Sequence, residues 1–246
     1  MIGLGTIVNV VAIIGGGIIG LVSNKFLKER YQETIVKSIG LAVITMGLGS
    51  TFAQMFSVVN NNGTYSLSTN GIMMMIVSIA LGSFIGELIN LDGLLERFGD
   101  FLKKKTGSSS DAGFVDAFVT ASITVCVGAM AIIGSLQDGL YGDYSTLFAK
   151  SILDFVIIIM MSASMGKGCL FSFIPVAIIQ GLFTLLAIFI EPVMTPEALA
   201  NLSYVGNILI AGIGINLIWP KTLRVANMLP SIVIAVLLSM TTLMGS

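Results

Sequence analysis

Lys150 and Asp154 stand four residues apart inside an apolar run of this chain. That spacing puts both on one face of a helix, where they can pair. An ionisable side chain at the centre of a membrane helix costs about 2.5–3.5 kcal/mol, so the pair is either a structural bridge or the seat of an ion or proton step. Glu87 lies in another apolar run, about a turn from its end. Asp138 follows Gln137 near the end of a third, while Asp116 and Glu191 sit close enough to span ends to be solvated. Uncharged polar residues add Asn9, Gln54, Gln180, Asn207 and Asn216. Singly, each can bond across a helix pair for about 0.6 kcal/mol; together they outline a polar route.

Two glycine pairs carry further information. Gly47 and Gly49 lie beside Thr45, Ser50 and Thr51; Gly166 and Gly168 lie beside Ser162, Ser164 and Cys169. Glycine costs a helix about 1 kcal/mol against alanine. Either pair can therefore mark an unwound turn whose carbonyls and helix ends hold an ion or a polar solute, or simply a place where helices pack closely. The expected binding set is Gly47, Gly49, Ser50, Gln54, Glu87, Asp138, Lys150, Asp154, Gly166, Gly168, Gln180 and Asn216.

Other chemistries are excluded or unsupported. The chain has no histidine, which removes the commonest general base and metal ligand. Cys126 and Cys169 lie in apolar runs with no partner ligands, so they read as packing residues, and neither a metal nor a cofactor is expected. Lys150 and Lys167 have no serine at a useful spacing, so no enzyme is expected. Net charge is −1 with no basic tail, which argues against nucleic acid. Gly15, Gly17 and Gly20 match a dinucleotide fingerprint by letter, but they sit inside an apolar span rather than after a strand. The spacings Gly16 to Gly20 and Gly82 to Gly86 read as helix-packing faces, and Met73 to Met75 as lipid-facing or packing residues.

These residues need a frame of membrane helices. The sequence is 55% hydrophobic and 10% charged, against about 25% charged in a soluble domain. Eight runs are long enough to span a bilayer: 2–22, 35–59, 71–90, 114–136, 147–165, 169–190, 202–219 and 225–244. All basic residues but Lys150 fall in or beside alternate loops, a bias that predicts an even number of spans with both termini outside. The N-terminal run lacks the flanks of a signal peptide and reads as the first span. Residues 91–105 place Leu91, Leu94, Leu95, Phe98, Phe101 and Leu102 on one helical stripe, an amphipathic cytoplasmic helix before the flexible joint at 107–113.

The chain also resembles itself. Ala12–Leu21 and Ala131–Leu140 share AIIG and a closing Gly-Leu, and in the same register Met46–Phe52 is echoed by Met165–Phe171. About ten of roughly forty aligned positions agree, in blocks, as an old duplication leaves them. The loop charges orient the copies oppositely, which predicts an inverted repeat of 1–106 against 114–246 within one membrane domain.

The runs GTIVNVVAIIGGGIIG, GSFIGELINLDG and CVGAMAIIGSLQDGLYGD, the last followed by KSILD, resemble the YdfK/YqgA-like family of bacterial inner-membrane proteins over nearly the whole chain. The resemblance implies a multi-pass plasma-membrane protein and carries no functional residues with it. The expected fold is thus an all-α polytopic bundle. The expected function is secondary transport of a small solute or ion. A passive channel needs the same polar lining, and a non-transporting scaffold would use the polar residues as interhelical glue. The expected partners are the lipid bilayer, the solute or ion and, through small-residue faces such as TASITVCVGA, a second copy.

Overall fold

A computed structural model describes residues 2–24, 28–61, 64–109, 111–126 and 129–240. The elements in order are α1 (Leu4–Asn24), α2 (Glu29–Met55), β1 (Phe56–Asn61), β2 (Thr64–Thr69), α3 (Ile72–Ile89), α4 (Leu91–Lys105), α5 (Phe114–Cys126), α6 (Ala129–Tyr141) and α7 (Ser145–Met165). A 3-10 turn, Lys167–Ser172, leads into α8 (Phe173–Leu185) and α9 (Ala187–Ile190). A second 3-10 turn, Glu191–Val193, precedes α10 (Pro196–Ile218), α11 (Val225–Met228) and α12 (Pro230–Ser239).

The bundle has an apolar core with a few polar residues set into it, and an apolar outside. Asn9, Asp138, Lys150, Asp154 and Gln180 are all buried among residues such as Ile13, Ile158 and Met161, while Phe84, Leu88, Leu185, Ile188 and Phe189 stand exposed. The exposed apolar surface suits lipid rather than water as the surrounding solvent. Among the described residues, six helices are long and apolar enough to cross a membrane, and the bent pair α5–α6 makes a seventh if counted as one span. The predicted last span is present as a shorter apolar helix over 225–239, and residues 241–246 lie outside the described residues.

Glycines set the helix contacts. On α1, a Cβ at Gly16 would lie 2.7 Å from the Phe155 carbonyl oxygen, and one at Gly20 would run into the Ile159 carbonyl, so α1 and α7 touch backbone to backbone. Gly5 meets Leu147 at the start of α7 and Gly20 meets Ser162 near its end, so the two helices run in the same direction. Gly40, Gly47 and Gly214 bring α2 against α10 in the opposite sense, and Gly82 and Gly86 seat α3 on Ser231 and Asn227. Close approach of this kind is what small residues allow in a membrane interface.

Several sequence expectations need correction. Gly47 and Gly49 do not unwind α2, which runs unbroken from Glu29 to Met55. Gly47 serves packing, with a Cβ there 2.6 Å from the Ala211 nitrogen. Met46–Phe52 thus lies within a helix while its echo, Met165–Phe171, covers the end of α7 and the 3-10 turn. Gly166 does end a helix, with φ +92°. The second span stops at Met55, four residues early, because the uncharged loop that follows forms an antiparallel hairpin pairing Phe56 with Thr69. Phe56 and Val58 about Ser57, and Tyr65 and Leu67 about Ser66, form a period-two strand pattern hidden beneath the span's apolar tail. The fourth span is not one straight helix: α5 and α6 are inclined at 58° to each other, and residues 127–128 lie outside the described residues. The amphipathic stretch forms α4 as a separate helix. Asn90, at φ 55°, turns the chain and accepts the Gly93 N–H, and Phe98, Gly99 and Leu102 pack the stripe on Phe118 of α5.

Candidate functional site

The polar centre is built where α5 stops. In an unbroken helix the carbonyl of Val125 would accept the N–H four residues on. Here it accepts the Lys150 ammonium at 2.8 Å. The same ammonium donates to both oxygens of Asp154, at 2.8 Å to Oδ1 and 2.6 Å to Oδ2, so all three of its protons are used. Asn9 of α1 donates its amide to Asp154 Oδ2 at 2.9 Å. Lys150 is 7% exposed, Asp154 3% and Asn9 0%. Burial of such a pair is tolerable because the charges cancel and nearly every lone pair and proton finds a partner. One atom does not: Asn9 Oδ1 is buried with no hydrogen bond. The carboxylate beside it fixes the orientation, since the amide must turn its N–H toward Asp154.

Other orphaned polar atoms lie on the helices around this centre. Gln180 of α8 is 1% exposed and neither of its amide atoms has a partner; Ser122 of α5, Ser162 of α7, Thr6 of α1 and Thr184 of α8 are likewise unpaired. Buried polar groups are ordinarily satisfied, so a run of unsatisfied ones marks where water or a ligand belongs.

Asp138 closes one end of the bundle. It is fully buried, accepting the backbone N–H of Gly3 at 3.1 Å and of Gly5 at 3.0 Å. A carboxylate there also complements the positive end of the α1 dipole. The last turn of α6 thus lies against the first turn of α1. At the same end Tyr141 donates to Glu191 at 3.1 Å.

The opposite end carries a cavity of about 810 Å³. Its rim includes Glu87, Asp92, Asp116, Lys221 and Arg224, and its walls include Thr120, Ile123 and Asn216. Glu87 pairs with Arg224 and accepts the Asn227 amide at 2.6 Å; Lys221 pairs with Asp116 at 3.2 Å. Asn227 Oδ1 also accepts the Asp92 N–H at 2.7 Å, which joins the start of α4 to α11. Asn216 clasps the loop after α10, bonding both the N–H and the carbonyl of Leu223. From Asp116 to Ile123 the wall follows α5 for about 10 Å at 1.5 Å per residue. Ile123 is two residues short of the carbonyl that holds Lys150.

The structure therefore joins Lys150 with Asp154 and gathers Gln180 and Asp138 on neighbouring helices. It puts Glu87 and Asn216 on the cavity at one end. Gly49 and Gln54 lie exposed on α2, and Ser50 is half-buried on the same helix. Gly166 stands at the end of α7, and Gly168 is pressed on the Phe114 carbonyl, a packing role. Cys126 and Cys169 are free thiols. Sequence reading gave no special weight to Val125 or to Asn227. Val125 lies in an uninterrupted apolar run and Asn227 is an isolated amide in another, so neither carried a local sign.

Apolar walls, helices of bilayer length and a charged pair at the core define a polytopic helical membrane protein. Residues 4–240 match the family described as "Protein of unknown function (DUF554)", and the chain belongs to that family. It is 28% identical over 230 residues to "Uncharacterized membrane protein YdfK" of Bacillus subtilis (strain 168), covering 94% of this chain and 93% of that one. It is 27% identical over 240 residues to "Uncharacterized protein YqgA" of Escherichia coli (strain K12), covering 96% of each. No solved structure matches.

Proposed function

We propose that this protein is a secondary transporter of a small solute or ion in the bacterial plasma membrane, with both termini outside and its central site between two inverted halves. Its chemistry is transport rather than catalysis. The carrying observation lies at the bent span: the Val125 carbonyl, at the end of α5, accepts the buried Lys150 ammonium, itself paired with Asp154. Broken helices with charged or carbonyl ligands at membrane depth are a recurrent way of building a transport site. Support also comes from access. The cavity runs along α5 as far as Ile123 from the end where Glu87 and Arg224 lie, while Asp138 ties α1 to α6 at the other. One-sided access is what any single state of an alternating carrier requires.

The test is uptake into liposomes holding the purified protein, screened against ions and small metabolites. A carrier gives saturable uptake without electrical events, abolished by Asp154→Asn. Steady single-channel currents would replace the carrier with a passive channel. Unchanged uptake in Asp154→Asn would remove the pair from the mechanism.

A further inference from the structure

We infer that α4 is a docking surface for anionic phospholipids, with Arg97, Lys104 and Lys105 holding the headgroups beside the exposed side chains of Leu94 and Phe101. The inference is independent of transport, since it concerns the lipid around the protein and not what crosses the bundle. The sequence puts six apolar residues on one stripe of α4, and the structure divides them. Phe98 and Leu102, with Gly99, turn inward onto Phe118 of α5. Leu94 and Phe101 do not follow; they are 48% and 54% exposed. Seven residues apart, these two lie within about 20° of each other around the helix.

Charge is sorted around the same axis. Asp92 and Glu96, four residues apart, line the cavity, and Lys103 falls on their side of the helix. Arg97 follows Leu94 by three residues, while Lys104 and Lys105 follow Phe101 by three and four. That spacing flanks the exposed apolar pair with three cations, all of them exposed. Lys105 Nζ stands 5.6 Å from the centre of the Phe101 ring. Asp100 borders Lys104, and three cations against one carboxylate leave the strip net positive.

The strip is also in the right place. α3 is long and apolar enough to cross the membrane, and Asn90, in the left-handed region at φ 55°, is the one residue between it and α4. So α4 starts where a span leaves the bilayer, at the end of the bundle where Lys221 and Arg224 lie. Leucine and phenylalanine facing water cost free energy. Sunk about 5–10 Å into the boundary of headgroups and acyl chains they do not, and long basic side chains beside them then reach the phosphates. Phosphatidylcholine sets its own cation beside its phosphate. Phosphatidylglycerol does not, so a net positive strip selects it.

The full-length protein carrying Trp219→Phe and Phe101→Trp, placed in vesicles of equal parts phosphatidylcholine and phosphatidylglycerol, tests this. Trp219 is the chain's single tryptophan, so all indole emission then comes from α4. One lipid at a time carries bromine on acyl carbons near its headgroup, and bromine quenches an indole only at close range. Brominated phosphatidylglycerol should quench more strongly than brominated phosphatidylcholine, by about twofold to fivefold, since one basic residue near the surface gives about fivefold in partition. Salt at about 1 M, which screens charges beyond about 3 Å, should make the two equal without abolishing quenching. Lys104→Gln with Lys105→Gln should do the same. Equal quenching at low salt with both lysines present would leave α4 on the bilayer without any choice of headgroup, and overturns the proposal. No quenching by either lipid would turn the strip toward water or another protein, and overturns it too. A second measurement needs no change at position 101. In detergent, short-chain phosphatidylglycerol should raise the melting temperature of the wild-type protein above that in short-chain phosphatidylcholine, and inorganic phosphate should not. A rise that survives Lys104→Gln with Lys105→Gln would put the headgroup site elsewhere and remove it from α4.

Discussion

Asp138 and Gly5 are 133 residues apart in sequence, yet the carboxylate of one accepts the backbone N–H of the other at 3.0 Å in a fully buried setting. The bond fastens the first turn of α1 to the last of α6. Hydrogen bonds to a charged group are worth about 1.5–3 kcal/mol, so Asp138→Ala should cost about that much, and Asp138→Asn, which keeps an acceptor, about half. Thermal unfolding in detergent reads the difference. Identical melting of Asp138→Ala and wild type would show that the N–H groups find another partner.

The Lys150–Asp154 pair should behave asymmetrically. Removing either partner leaves a buried charge without its counter-ion and costs about 3–5 kcal/mol, whereas a double change to apolar residues, Lys150→Met with Asp154→Leu, should recover most of that stability. Uptake should be lost in all of them. A double variant no more stable than the singles would mean that the pair is needed for packing and not only for charge.

The two glycines of α2 should part company on substitution. Nothing lies within 4 Å of a Cβ at Gly49, so Gly49→Ala should stabilise α2, by up to about 1 kcal/mol. Gly47→Ala and Gly86→Ala press a methyl into the backbones of α10 and α11 and should lower both yield and melting temperature. Equal tolerance at Gly47 and Gly49 would contradict the packing described between α2 and α10.

The cluster at the cavity rim should divide by burial. The side chains of Glu87 and Arg224 are 53% and 68% exposed. Exposed ion pairs are worth no more than about 1 kcal/mol, so Glu87→Gln should barely change stability. Asn227 is 2% exposed and bonds both Asp92 and Glu87. Asn227→Leu should cost about 1–3 kcal/mol through the Asp92 N–H it leaves unpaired. Melting curves of the two variants, side by side, decide it.

Much of the bundle is legible in the residues because lipid imposes long apolar runs, and those runs locate the helices within a few positions. The i, i+4 spacing of Lys150 and Asp154 likewise announces their pairing, since helical geometry alone brings them together. What brings Asn9 and Val125 to that pair is tertiary: a helix, α1, that starts 141 residues before α7 (Leu4 against Ser145), and the bend between α5 and α6. Hydropathy cannot register that bend, because α5 and α6 are both apolar on either side of it. The glycine pair in α2 misleads for the opposite reason. Glycine frees a backbone to unwind and lets a neighbour come close, and at Gly47 the neighbour, Ala211, determines which of these happens.

The hairpin grows straight out of α2. Phe56 is at once the residue that caps the helix and the first of the strand, and the Asn70 N–H returns to the Met55 carbonyl at 2.9 Å to close the base. With no linker between them, the ribbon acts as a pointer about 20 Å long, six residues at some 3.3 Å each, rigidly keyed to the helix. Rolling α2 against α10 by a small angle would sweep Tyr65, near its tip, through a far larger arc. A probe placed there would therefore register rotations of the bundle that are too slight to see at the helix itself.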